Sequence, residues 1–134
     1  MNRTLLLKPL SLIALLCMAN NGPPPTINGG WRNPSGTIEV RIAPCNAGLC
    51  GVITRASADA IADAKDAGVD NLIGTQLLED YRPAGANRWT GRVYVPDMKG
   101  RFASHMALIS PNQLKISGCV LGGLLCRSQS WTRV

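Results

Sequence analysis

The sequence is poor in the residues on which most enzyme sites depend. Histidine occurs once, as His105, and the aromatic residues are three Trp, two Tyr and one Phe. A general base also needs a nucleophile and a third group that orients it. Neither a Gly-x-Ser-x-Gly segment nor a glycine-rich phosphate loop between a strand and a helix is present. We therefore predict that the protein is not an enzyme and that it uses no metal and no cofactor.

Acidic residues are also few, with eight Asp and Glu against fourteen Lys and Arg, which gives a formal net charge of +6. The arginines are scattered along the chain. Nucleic-acid binding proteins instead concentrate charge in a stripe with interleaved aromatics. We therefore predict no nucleic-acid partner and interpret the basic residues as a solvated surface. Weak attraction to anionic lipid head groups or acidic glycans is the alternative.

A long apolar run is absent after the first 19 residues. Arg3 and Lys8 precede the apolar segment 10–19, which ends in small residues as bacterial secretory signal peptides do. The segment is shorter than the roughly 20 apolar residues of a membrane span, so an uncleaved anchor is the less favoured alternative. We predict a periplasmic or secreted bacterial protein with no stable membrane span after cleavage. Its predicted parts are a signal peptide at 1–19, a flexible Pro-rich lead-in at 20–28 and one domain at 29–134.

The cysteines that follow the predicted signal peptide indicate disulfides. They are Cys45, Cys50, Cys119 and Cys126, an even number in a small exported domain. Glycines 122 and 123 suit a two-residue hairpin loop, which sets Cys119 opposite Cys126. A four-residue loop over 46–49 likewise sets Cys45 opposite Cys50. We predict these two disulfides. The alternative, a four-cysteine zinc site, normally uses Cys-x2-4-Cys pairs and fits the wider second pair poorly.

Apolar residues that alternate with polar ones dominate the rest of the chain. Residues 37–43 alternate strictly, which is the pattern of a half-buried strand. The one predicted helix runs from an N-cap at Ser57 to Gly68. Eight or so strands joined by short turns favour an all-β fold, a small up-and-down antiparallel barrel with one short helix. A two-layer sandwich is the alternative. Further strands are predicted at 51–55, 75–81, 88–95, 102–109, 114–118 and 127–134.

Strand parity selects the side chains that face the interior of such a barrel. A barrel of about eight strands is either filled by side chains or holds one small ligand. His105 falls on the strand face opposite Phe102 and Met106, so we predict an outward or rim position for it. The candidates for lining a ligand cavity are Trp89, Val93, Phe102, Met106 and Leu108.

The C-terminal residues carry a resemblance to a known family. The segment Leu-Lys-Ile-Ser-Gly-Cys at 114–119, with Leu-Leu-Cys-Arg-Ser-Gln-Ser-Trp-Thr-Arg-Val at 124–134, resembles the bacterial domain-of-unknown-function 2147 family. Trp31, the Cys45 to Gly51 segment and residues 89–96 agree with it. The resemblance implies a signal peptide, an extracytoplasmic location and a lipocalin-like barrel. It implies no established activity.

The Gly29-x-Trp31 segment is similar to the start of lipocalins, in which the Trp packs under the barrel against an Arg of the last strand. The resemblance implies that Trp31 and Arg133 form a structural barrel base, with Arg127 as the other candidate arginine. We predict a periplasmic binding module for a small apolar or amphipathic ligand. The alternative is a structural or interaction protein of the cell envelope that binds an envelope component and no small molecule.

Overall fold

The protein forms a closed barrel of eight strands in chain order, each antiparallel to its neighbours. The computed structural model describes residues 26–120 and 125–134, so the predicted signal peptide and residues 20–25 of the predicted lead-in lie outside the described residues. The predicted up-and-down barrel is confirmed, and the sandwich alternative is wrong. The strands are β1 Gly29–Arg32, β2 Ile38–Cys45, β3 Gly48–Ala56, β4 Gln76–Pro83, β5 Arg88–Val95, β6 Gly100–Ser110, β7 Gln113–Val120 and β8 Leu125–Arg133.

Closure of the barrel depends on the short strand β1. This strand pairs with β2 along its length and with β8 through two residues, Trp31 opposite Arg133 and Arg32 opposite Thr132. Each of the described strands therefore has a hydrogen-bonded neighbour on both sides. Closure removes the free strand edges on which sheets aggregate.

The alternating strand directions give the barrel two different ends. We call the end where β1 begins and β8 finishes the closed end, and the opposite end the open end. The closed end carries residues 26–28 and the short connections β2–β3, β4–β5 and β6–β7. The open end carries the β1–β2 loop, the helix α1 (Ala58–Asp66) between β3 and β4, and a short 3₁₀ helix, Pro96–Met98, between β5 and β6.

Helix α1 begins and ends where the sequence predicts. The Ser57 hydroxyl accepts the N–H of Ala60 at 3.1 Å and so caps the first turn. Gly68 follows the last turn with a φ of +88°, a left-handed conformation that glycine adopts without strain. The Val69 N–H then donates to the carbonyl of Ala64 at 2.8 Å. Ala64 is the buried residue of the helix, so one face of α1 packs on the barrel.

Both predicted disulfides form, and both lie on the outer surface of the wall. Cys119 lies directly opposite Cys126, as predicted, with 4.1 Å between their Cα atoms. The predicted turn at glycines 122 and 123 itself lies outside the described residues. In the other hairpin Cys45 lies opposite Gly48 rather than opposite Cys50. The predicted four-residue loop is therefore wrong, because Asn46 takes a φ of +49° and turns the chain within two residues. Cys45 and Cys50 bond diagonally, with 5.7 Å between their Cα atoms.

Candidate ligand-binding site

The closed end is filled by Trp31. This side chain is fully buried, and its indole N–H donates to the carbonyl of Ile27 at 2.8 Å. Arg133 lies over the ring with its guanidinium carbon 4.2 Å from the ring centroid, a favourable cation–π contact. Ile27 is 3% exposed and belongs to the core. Residues 26–28 of the predicted flexible lead-in are therefore held against the barrel.

Arg133 also fastens the chain segments around this end. Its guanidinium donates to the carbonyls of Pro111 at 2.7 Å, Asn28 at 3.0 Å and Thr26. A guanidinium offers five N–H donors in a rigid fork, and here one fork joins the lead-in to the β6–β7 turn. The geometry gives Trp31 and Arg133 a structural role at the barrel base.

The open end contains a cavity of about 710 Å³. Small-molecule sites in proteins are mostly apolar clefts of roughly 300–1,000 Å³ with a few placed polar groups. This cavity meets both conditions. Its lining residues are Asn33, Ile38, Leu77, Leu78, Val93, Tyr94, Val95, Pro96, Asp97, Met98, Phe102, Ile116, Gly118, Leu125, Arg127, Gln129 and Trp131.

Three small residues and Arg127 form a row across the inner wall, and the row reaches the cavity at Gly118 and Arg127. Gly91, Ser104, Gly118 and Arg127 lie opposite one another in turn on β5, β6, β7 and β8. The Tyr81 ring covers the first position so closely that a Cβ on Gly91 would lie 2.7 Å from the ring. At Gly118 the nearest atom to an added Cβ is the Val93 Cγ1 at 3.6 Å. The space above Gly118 therefore stays open, in front of Arg127.

Of the five residues predicted to line the cavity, two do so and three lie deeper in the barrel. Val93 and Phe102 lie on the cavity wall. Met106 and Leu108 are instead buried in the packed core, and Trp89 packs against that core. Strand parity places all five on the inner face, but it does not give the distance of each residue from the open end.

Strand β8 supplies polar lining residues that the sequence reasoning missed. Arg127 and Gln129 share the inner face with Leu125 and Trp131, two residues apart each time. Gln129 accepts the Trp131 indole N–H through its Oε1 at 3.2 Å. Because an indole N–H only donates, this bond fixes the orientation of the amide. Strand alternation could have identified them, because Arg127 and Gln129 lie four and two residues before the apolar Trp131 and so share its face.

The cavity carries two charged side chains among its described lining residues, Arg127 and Asp97. Asp97 lies on the 3₁₀ helix at the mouth, and Arg127 lies one inward position below Leu125, which begins β8. Within the described ranges, Arg127 has no carboxylate within salt-bridge distance and no hydrogen-bond partner for its guanidinium. The cavity thus has Arg127 on its wall, unpaired among the described residues, and Asp97 at its mouth.

Tyr81 leaves a polar atom buried beneath the cavity. Its hydroxyl is fully enclosed and has no hydrogen-bond partner among the described residues. Burial raises the pKa of this hydroxyl well above its ordinary value, and the neighbouring Ser104 hydroxyl offsets only part of that rise. The nearby Ser104 hydroxyl donates to the carbonyl of Ser117 at 2.7 Å. Tyr81 therefore remains neutral and contributes packing rather than charge.

The remaining candidate chemical groups lie on the outer wall or are absent from the described residues. His105 is exposed on the outer face of β6, opposite Thr90 of β5. Over residues 26–120 and 125–134, His, Cys, Asp and Glu form no group of three or more that is arranged to hold a metal ion. In the same ranges, no helix has the length and hydropathy that crossing a membrane requires.

Comparison with known proteins agrees with the fold. The structure is similar to that of protein HP1028 from Helicobacter pylori, which is described as belonging to the lipocalin family. The TM-score is 0.60 at 13% identity, over 81% of this chain and 83% of that chain. No curated protein matches the sequence. The profile of a family described as "Uncharacterized protein conserved in bacteria (DUF2147)" matches residues 29–133, and the chain therefore belongs to this family.

Proposed function

We propose that the protein is a non-enzymatic binding module that takes a small apolar or amphipathic molecule into the open end of its barrel. The observation that carries this proposal is the cavity of about 710 Å³ above a packed core. A barrel with structural duties alone gains stability by filling such a space, because packing the interior buries more apolar surface. Here the chain places Gly118 where a side chain would fill it.

The wall and the mouth of the cavity both favour an apolar ligand. Val93, Phe102 and Ile116 form part of the wall. At the mouth, Met98 and Leu125 are 60% and 50% exposed, respectively. Large apolar side chains that stay in water around a concave site are typical of a surface that receives a ligand or partner. Displacing water from this wall by an apolar chain supplies the driving force for binding.

The two disulfides support a place of action outside the cytoplasm. Disulfides form and persist in oxidising compartments such as the bacterial periplasm, whereas cytosolic thiols are kept reduced. Both bridges lie on the outer wall in hairpins, Cys45–Cys50 and Cys119–Cys126. Together with the signal peptide predicted from the sequence, they favour a periplasmic or secreted binding protein.

The proposal is tested with a neutral apolar probe and a matched pair of substitutions. N-phenyl-1-naphthylamine is titrated into the purified protein and its fluorescence is followed. An alanine at Gly118 meets Val93 at an ordinary contact distance of 3.6 Å, so Gly118→Ala should bind the probe as the wild type does. Gly118→Ile projects a larger side chain into the cavity and should weaken binding at least tenfold.

Equal probe binding by both variants would place the probe outside the cavity and contradict the proposal. An unresponsive wild type would do the same. That second result would favour the alternative, an envelope protein that acts through its outer surface. Circular dichroism of both variants checks that the barrel is intact.

A further inference from the structure

Polar side chains lie on the inner wall of the cavity, and exposed apolar side chains lie at its mouth. From this arrangement we infer that the ligand is a singly charged anionic amphiphile with a carboxylate-type head. Arg127 and Gln129 bind the head inside the barrel, and the apolar chain points toward the mouth. This inference rests on the proposed function, since it names the class of ligand for the same cavity.

The polar groups of the cavity lie below its rim. Leu125 begins β8 at the open end, and Arg127 and Gln129 follow two and four residues further inward on the same face. At about 3.3 Å per residue, Arg127 and Gln129 lie roughly 7 Å and 13 Å below the rim along the strand. The exposed apolar side chains Met98 and Leu125 stand above them at the mouth. A ligand that satisfies both regions enters with its polar head first.

Arg127 and Gln129 offer hydrogen-bond donors to the cavity. Arg127 presents only donors, and its guanidinium has no partner within the described residues. Gln129 has its carbonyl oxygen engaged by the Trp131 indole N–H at 3.2 Å. Its amide N–H donors are therefore the part left for the cavity. A guanidinium and an amide that both donate match the two oxygens of a carboxylate, the partner with which arginine forms its strongest planar pairs.

The space in front of Arg127 is open. Gly118 lies directly opposite Arg127 on β7 and has no side chain to cover it. Ser104, the next residue in the row, is buried and uses its hydroxyl on the Ser117 carbonyl. The guanidinium of Arg127, an exposed residue, thus faces the open cavity, where its donors are accessible to a ligand.

Asp97 works in the same direction. It lies exposed at the mouth, on the 3₁₀ helix that connects β5 and β6. A carboxylate at the mouth disfavours an anionic head there by like-charge repulsion. The favourable position for the head is therefore deeper, beside Arg127. A cationic amphiphile meets the opposite arrangement and is rejected at depth.

The test compares one chain length with and without charge. Dodecanoate and dodecanol are each used to displace N-phenyl-1-naphthylamine in competition titrations of the wild type, Arg127→Met and Arg92→Met. Arg92 is an exposed arginine on the outer face of β5, so its replacement removes the same charge without touching the cavity. A charged hydrogen bond is worth one to two powers of ten in affinity. Arg127→Met should therefore weaken dodecanoate at least tenfold and leave dodecanol within twofold, whereas Arg92→Met should change neither.

A second variant tests the donor assignment. Gln129→Glu keeps an oxygen for the Trp131 indole and replaces the amide donors with negative charge. It should weaken dodecanoate by about tenfold or more and leave dodecanol nearly unchanged. Dodecanoate affinity that survives Arg127→Met, or a dodecanol affinity that falls equally, overturns the inference while the cavity itself still binds. Failure of the wild type to bind the neutral probe instead overturns the proposed function.

Discussion

Two arginines on the inner face of β8, six residues apart, have opposite surroundings. Arg133 lies over the Trp31 ring and donates to three backbone carbonyls. Arg127 faces the cavity and has no such partner in the described part of the chain. A cation with its donors satisfied by the protein holds the fold together. A cation whose donors are left unused is available to a ligand.

The same contrast separates the two ends of the barrel. The closed end is filled by Trp31 and Ile27 and fastened by Arg133. At the open end Gly118 has no side chain to fill the space in front of Arg127, and a cavity remains. If the proposed function is correct, the closed end serves mainly stability and the open end serves binding.

The largest expected effect is the loss of the closed-end anchor. Trp31→Ala removes a fully buried indole, and burying such a side chain contributes about 3–5 kcal/mol. We expect a loss of that size in the free energy of unfolding, measured by urea denaturation. Leu125→Ala is the open-end control and should lose less than about 1 kcal/mol, because Leu125 is 50% exposed. Equal losses at both ends would remove the contrast.

The next largest effect is the difference in the free energy of unfolding between substitutions of Arg133 and Arg127. Arg133→Met leaves three carbonyls without their donor and removes the contact with Trp31, so it should lower the free energy of unfolding by about 2 kcal/mol. Arg127→Met breaks no described contact and should stay within about 0.5 kcal/mol of the wild type. Thermal and urea unfolding of the pair measure the difference. A reversed order would show that Arg127 is structural.

The smallest effect concerns the border between the packed core and the cavity. Tyr81→Phe removes a buried hydroxyl that has no described hydrogen-bond partner, and should raise the free energy of unfolding by up to about 1 kcal/mol. Tyr94→Phe, at a half-buried ring, is the matched control and should change little. A loss of stability in Tyr81→Phe would reveal a partner for the hydroxyl.

The pH dependence of the same variant gives a second readout. Burial raises the pKa of Tyr81 in the folded protein, so the unfolded chain releases this proton first, near pH 10. The unfolded state then binds fewer protons than the folded state, and stability falls as the pH rises above about 10. Tyr81→Phe should lack this part of the alkaline loss.

The sequence predicts the wall of the barrel better than its interior. The sequence predicts the pairing of Cys119 with Cys126 correctly because the spacing of a two-residue turn is a local property. Parity likewise selects the inner face, but Met106 lies in the core while Phe102 lines the cavity. Their depths depend on strand tilt and on bulges such as the register shift between Glu79 and Arg82. Those are properties of the closed sheet.

Arg127 illustrates the same limit. A basic residue in a final strand reads as a candidate for the barrel base until the register is known. The register places Arg133 beside Trp31 and Arg127 beside Gly118. Only the assembled sheet shows that the space in front of Gly118 is open.

The most direct test of the account is a crystal structure of the protein with dodecanoate. We expect the carboxylate within hydrogen-bond distance of the Arg127 guanidinium and the Gln129 amide nitrogen, with the chain directed toward Met98 and Leu125. A ligand bound on the outer wall, or one whose carboxylate lies in solvent at the mouth with its chain buried, would contradict it.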